Sequence, residues 1–260
     1  MLNLLAADVI ERFYTFMWPM LRISALMLTA PILAQNAINI RFRILIALAL
    51  TWLVYPLHRW PAMDPTSAQG LLQVFNQVAI GALMGLVLQV AVAAVVVGGQ
   101  SISSAMGLSM ASMIDPNLGN VPVISQFLLI LASLVFVGFG GHAILLGLIS
   151  ESFHTLPIGA NLISQAVMGK LIQWSSMMFL GGLLLALPVM VFLLFVNVGL
   201  GIVTRAAPSL NIFAVGFPAM IIAGFIVVLL SMDSIGGRIE WLWARGFDVL
   251  RDMTGAGHGR

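Results

Sequence analysis

Apolar residues fall into six stretches, at 16–34, 44–57, 71–97, 127–149, 174–203 and 212–230. About 20 apolar residues cross a hydrocarbon layer as a helix. The second stretch is short for that length, and the fifth is long and carries Pro188 and Asn197. Helix is the expected state throughout, because backbone polar groups in lipid must pair within their own segment. Turn residues punctuate the stretches: Pro56, Pro61 and Pro65, then Asp115-Pro116-Asn117-Leu118-Gly119-Asn120, then Pro157 with Gly159, then Pro208. The pattern predicts an all-α integral membrane protein with about six apolar helical segments over 1–232 and a polar tail over 233–260. In that tail Trp241, Trp243, Phe247 and Leu250 recur at roughly helical spacing, which suits an interfacial helix or a solvated tail with anchoring tryptophans.

Polar and small residues inside the apolar runs narrow the picture. Gln69, Gln73 and Gln77 recur every four residues and share one helical face, with Asn76 beside them and Gln89 and Gln100 further on. Such a face meets other helices or lines a water path. Gly81 with Gly85, and Ser103 with Gly107, have the spacing that lets helix backbones approach closely. Met106, Met110 and Met113 form a flexible stripe leading into the Asp115-Pro116 turn, read either as packing or as an adaptable seal. Arg22, inside the first run, either reaches a partner's carboxylate or backbone, or snorkels to the interface. Arg205 closes a long helix, where a cation favours the dipole. Pro208 and Asn211 read as a helix stop and a new start. His142, after two glycines, reads as a packed, hydrogen-bonded histidine, and Asp115 as a cap before Pro116.

Composition agrees with the lipid reading. Of the 260 residues 61% are hydrophobic and 8% charged, and the mean hydropathy is +1.09, whereas soluble domains are nearer a quarter charged. Between Asp64 and Glu151 the ionisable side chains are Asp115 and His142 alone. A net charge of +2 gives no reason to expect a nucleic-acid partner. The chain has no cysteine, which removes disulfides, thiolate zinc sites and cysteine nucleophiles. No histidine pair has the spacing of a helical metal motif, and no cofactor is expected. Asp8, Glu11 and Arg22 argue against a cleavable signal and for an uncleaved anchor. Ser109 lacks the following glycine of a nucleophile elbow, and no phosphate-cradling glycine loop occurs, so an enzyme is not expected. A small secondary transporter shares this composition, but it would carry related halves and ion-binding residues at mid-membrane.

Four groups of residues resemble the FliR family of flagellar biosynthetic proteins, which is related to the export-gate subunits of virulence injectisomes. They are Trp18-Pro19-Met20-Leu21-Arg22 with Thr29-Ala30-Pro31-Ile32-Leu33; Gly107-Leu108-Ser109 leading to Asp115-Pro116; Gly141-His142 with Phe153-His154-Thr155-Leu156-Pro157-Ile158-Gly159; and Arg205, Ala207-Pro208, Leu210, Asn211, Phe213 and Gly216-Phe217-Pro218. They occur in family order and cover all but the tail. Gln100 and Ala105 depart from the family pattern, where Glu and Gln are frequent. The resemblance implies helical hairpins within a hetero-oligomeric export gate built with FliP-like and FliQ-like subunits. It also implies FlhB-like and FlhA-like proteins on the cytoplasmic side, unfolded flagellar subunits as cargo, and a pore plug at 110–122. A weakly charged, apolar constriction suits such a pore, since it closes around ions without binding them.

Charge placement leaves the topology in conflict. If all six stretches span, Arg41, Arg43 and Arg205 lie on one side, opposite Arg12, Arg59, Lys170 and the four arginines of the tail. The larger group would be cytoplasmic by count, while the tight first connection argues the reverse. Hairpins shielded by other subunits remove the conflict and put the tips near Arg41 and Arg205 toward the cytoplasm.

Overall fold

The computed structural model describes residues 2–31, 39–108, 123–159, 165–206 and 212–255. Among these residues nine α-helices form and no strand: α1 (Leu2–Thr29), α2 (Ile40–Val54), α3 (Ala68–Ala105), α4 (Val123–Gly138), α5 (Gly141–Thr155), α6 (Gln165–Ser175), α7 (Met177–Ala206), α8 (Ile212–Leu230) and α9 (Met232–Thr254). A 3₁₀ turn, Tyr55–Leu57, extends α2. Ile40–Leu57, Ala68–Ala105 and Gln165–Ala206 are long and apolar enough to cross a membrane, and counting each of two bent helix pairs as one span raises the number to five.

Local chemistry sets the ends of these helices. Asn39 caps α2, its side-chain oxygen accepting from the Arg41 N–H at 3.0 Å. Ser67 does the same for α3, accepting from the Gly70 N–H at 3.0 Å. The carboxylate of Asp64 accepts from the N–H and hydroxyl of Thr66, which holds its pKa below the ordinary value. Gly107, at φ +80°, ends α3: its N–H reaches the Ser104 carbonyl and the Leu108 N–H reaches that of Ser103. This corrects the reading of Ser103 and Gly107 as a helix-contact pair, since Gly107 is the left-handed residue that closes the helix. Pro188 marks no helix end. It lies inside the continuous α7, where one missing N–H is a local loss and the remaining turns keep their bonds. The break comes earlier, at Ser176.

The chain divides into two compact units. The first comprises Met1–Gln89, Gly141–Ser175 and Arg245–Arg260. Here α1 and α2 form an antiparallel hairpin: Phe16 meets Trp52 and Tyr55 at one end, and Met27 and Leu28 share a cleft with Ile40 and Ile44 at the other. Residues 77–85 of α3 run parallel to residues 22–29 of α1. A Cβ built on Gly81 would stand 2.9 Å from that of Ala25, and one on Gly85 would stand 2.6 Å from that of Thr29. Trp174 of α6 donates to the Val87 carbonyl at 2.9 Å, and the end of α9 packs Leu250 and Met253 around a 30 Å³ cavity with Ile80 and Met84.

The second unit comprises Val90–Gly140 and Ser176–Ala244. Gly98, Gly99 and Gly182 let α3, α4 and α7 close on one another, and Ser125 donates to the Val96 carbonyl at 3.1 Å. α7 packs on α8. Trp243 of α9 is buried, donates to the Ala132 carbonyl at 3.1 Å, and sets its ring edge-on to Phe136. The part of the tail in this unit is thus helical, with Ile235, Ile239 and Leu242 buried by their own chain, and in the first unit α9 buries Phe247 and Leu250.

Candidate functional site

The most densely bonded polar group in the first unit is Arg22, which is fully buried. Its guanidinium lies 4.2 Å from the centre of the Phe153 ring. The Nε–H donates to Gln77 Oε1 at 2.8 Å, Nη1 donates to the Ser152 carbonyl at 2.7 Å and hydroxyl at 2.9 Å, and Nη2 donates to the Leu156 carbonyl at 2.8 Å. Ser152 lies in the last turn of α5 and Leu156 just past its end; the Ser152 carbonyl also accepts from the Leu156 N–H at 3.0 Å, and the Leu156 carbonyl lies beyond the helix, where carbonyls lack a helical partner. Arg22 therefore caps α5 from α1 and places its cation at the negative end of that helix dipole. Its fixed planar fork suits four acceptor atoms on three residues in different directions, a geometry a lysine does not reproduce.

Both earlier readings of Arg22 need correction. It neither snorkels nor reaches outward; the acceptors of its own chain surround it. The amide face divides for the same reason. Gln77 is fully buried on Arg22, and Gln73 accepts from the Gly159 N–H at 3.1 Å, where φ +104° makes glycine the fitting residue. Asn76 is buried and Gln69 exposed. Because the Gln77 oxygen must face the Arg22 donor, its Nε2 is directed elsewhere in the core and has no acceptor among the described residues.

A second cluster adjoins this one. His58, on the connection after α2, faces the Ser150 carbonyl through Nε2 at 3.1 Å, and its ring centre lies 4.3 Å from that of His154 with the planes tilted by 40°. Trp60 stands edge-on to Phe153 at 5.0 Å and donates to the Tyr55 carbonyl at 2.8 Å. The connection is strapped to α5 by these contacts. Sequence reasoning missed His58, Trp60, Ser150 and Ser152 as partners. The available signal was the polar interruption from Ser150 to His154 directly after a long apolar run.

In the second unit Met106 is fully buried and fills the space above Gly224, where an added Cβ would come within 2.5–2.8 Å of its side chain. Phe217 lies 3.5 Å from the position of a Cβ on Gly107. Gln100 is exposed, as is Arg205 in the last turn of α7. His142 is exposed too, which corrects its reading as a packed histidine: Gly140, at φ +73°, ends α4, and His142 stands on the outer side of the first turn of α5. Met110, Met113, Asp115, Pro116, Asn117, Leu118, Gly119, Pro208 and Asn211 lie outside the described residues. Among the described residues no three histidine or carboxylate groups are placed to hold a metal ion.

A profile of bacterial export proteins, family 1, matches residues 13–245. The flagellar biosynthetic protein FliR of Pectobacterium carotovorum is 37% identical over 254 residues, 97% of each chain. That of Escherichia coli K12 is also 37% identical, over 92% of each chain. That of Bacillus subtilis is 28% identical over 95% of this chain and 96% of its own. The match includes the Arg22 cluster, both units and most of α9, so the chain belongs to the bacterial export proteins of family 1 and, within them, to the FliR family of flagellar biosynthetic proteins.

Proposed function

We propose that the protein is a structural and gating subunit of the flagellar type III export gate, at the base of the flagellum in the bacterial inner membrane. Unfolded flagellar subunits are the cargo. The observation that carries this reading is the similarity to a FliR protein along 97% of both chains. The surface supports it. Trp52 is 75% exposed, Ile172 72% and Leu230 81%, on three different helices, so lipid or other subunits must cover them.

FliP-like and FliQ-like subunits are the proposed neighbours, with FlhB-like and FlhA-like proteins on the cytoplasmic side. The exposed Gln69, Gln100, His142 and Arg205 are the assembly contacts in this proposal, with Pro208 and Asn211 shaping the tip after α7. Arg22, Gln73 and Gln77 act indirectly by fixing the shape that the neighbours meet. The plug is the 110–122 segment, with Met110, Met113, Asp115, Pro116, Asn117, Leu118 and Gly119, entered from the fixed Met106. The role is structural, and the energy for export comes from elsewhere in the machine. Affinity purification of the tagged protein from its own membranes tests the assignment. FliP-like and FliQ-like proteins should co-purify with it; recovery without either would overturn the reading.

A further inference from the structure

Pro188 has no N–H, so the carbonyl four residues before it, that of Leu184, has no donor within α7. The donor comes from another helix: Nη1 of Arg238, on α9, donates to that carbonyl at 2.6 Å. Leu184 and Pro188 lie one turn apart on the exposed face of α7, and Arg238 reaches that face as a partly buried side chain. Of all the carbonyls along α7, Arg238 is bonded to the one that the proline has freed.

The helix is held differently on the two sides of Pro188. Before it, α7 is in tight contact with α3 and α9. A Cβ on Gly181 would stand 2.8 Å from the Leu242 side chain, and one on Gly182 would stand 2.8 Å from the Ala94 carbonyl oxygen. Leu185 and Ala186 are fully buried. After Pro188 the buried residues are Val189 and Leu193, and none of 194–206 is buried. A Cβ added at Gly199 or Gly201 would meet nothing within 4 Å. A bend elsewhere in α7 breaks a backbone hydrogen bond of the helix. At Pro188 that bond is already missing, and the Arg238 contact is what a bend breaks.

We propose that α7 is a jointed helix, with Pro188 as the joint and Arg238 as the positioning residue that clasps it. Release of the clasp lets the 194–206 arm swing against the rest of the second unit. The arm carries Arg205 in its last turn, so the clasp sets where that cation is presented. The inference needs only the fold of the second unit and is independent of the export role.

From Pro188 to Gly199 the helix is about 17 Å long at about 1.5 Å per residue, so a bend of about 20° moves Gly199 by about 6 Å. Pulsed electron paramagnetic resonance reads this in the full-length protein purified in its complex, with spin-labelled cysteines replacing Gly199 and Glu240. The native chain has no cysteine, and both sites are exposed. With Pro188 and Arg238 intact the distance distribution should be single and narrow. Arg238→Ala should shift or broaden it by about 6 Å. Adding Pro188→Ala to Arg238→Ala supplies the N–H that Leu184 lacks, and the narrow distribution should return. If Arg238 serves only through the packing of its stem, the double variant stays as broad as Arg238→Ala, and that result would overturn the proposal. So would an Arg238→Ala distribution identical to that of the unsubstituted joint. Should Arg238→Ala not be recovered from membranes, recovery of the double variant reads the same rescue, and loss of both overturns the clasp.

Discussion

Replacing Arg22 by alanine removes four hydrogen bonds at once and leaves the Gln77 amide oxygen and the Leu156 carbonyl without their donor, while the Ser152 carbonyl keeps the Leu156 N–H and the Ser152 hydroxyl keeps the Ile149 carbonyl. Side-chain hydrogen bonds in membrane proteins average ~0.6 kcal/mol and reach ~1.7, which gives about 2.4 to 7 kcal/mol for four. Removal of a buried charge returns part of this, because desolvating a guanidinium is itself unfavourable. A net loss of ~3 kcal/mol, roughly a hundredfold in the folding equilibrium, is the expected outcome. Arg22→Lys should fall between, since three ammonium donors on a flexible stem do not match the fork. Thermal melting of the purified protein, with the amount of recovered complex, measures both. An Arg22→Ala protein that melts and assembles like the wild type would refute the view of Arg22 as the bolt joining α1, α3 and α5.

Gly85→Ala should destabilise by about 1–3 kcal/mol, because Thr29 and Ala30 occupy the space a Cβ needs. Gly147→Ala, in the open within α5, should be neutral or gain up to about 1 kcal/mol; equal melting points for the two variants would contradict the parallel contact of α1 and α3. Gly224→Ala should displace Met106 and lower stability, and adding Met106→Ala should recover part of the loss; strictly additive losses would show that the two residues do not touch. For topology, single cysteines at Asn39, Ser67 and Gly255 suit labelling from either side, because the native chain has none and all three sites are exposed. Thr254 is unsuitable, being buried with its hydroxyl on the Leu250 carbonyl. Asn39 should label from the cytoplasm; labelling at Ser67 and Gly255 from that side with none at Asn39 would refute the orientation.

The helical class and the position of the turn at Pro157 and Gly159 were legible because hydrophobic runs and turn residues act locally. What escaped depends on what stands opposite a residue. Gln69, Gln73 and Gln77 are indistinguishable by spacing, yet Gln77 meets a guanidinium, Gln73 a loop N–H, and Gln69 the exterior. Arg22 carries no mark in the chain of its bond to residues 130 positions away. Gly107 looked like a contact residue because the helix-contact spacing and the helix-closing glycine use the same residue type. Pro188 does not end α7, because a 30-residue helix tolerates the loss of one hydrogen bond. Of the tail's Trp241, Trp243, Phe247 and Leu250 the last three are buried and Trp241 is exposed, but their spacing is helical whether lipid or the chain itself covers them, so periodicity alone left α9 undecided.

Deletion of the gene, followed by measurement of flagellar filament protein in the medium, tests the central claim most directly. The account predicts that secretion of filament protein stops, that cells lack flagella, and that the wild-type gene supplied on a plasmid restores both. Normal secretion and normal flagella in the deletion strain would contradict it.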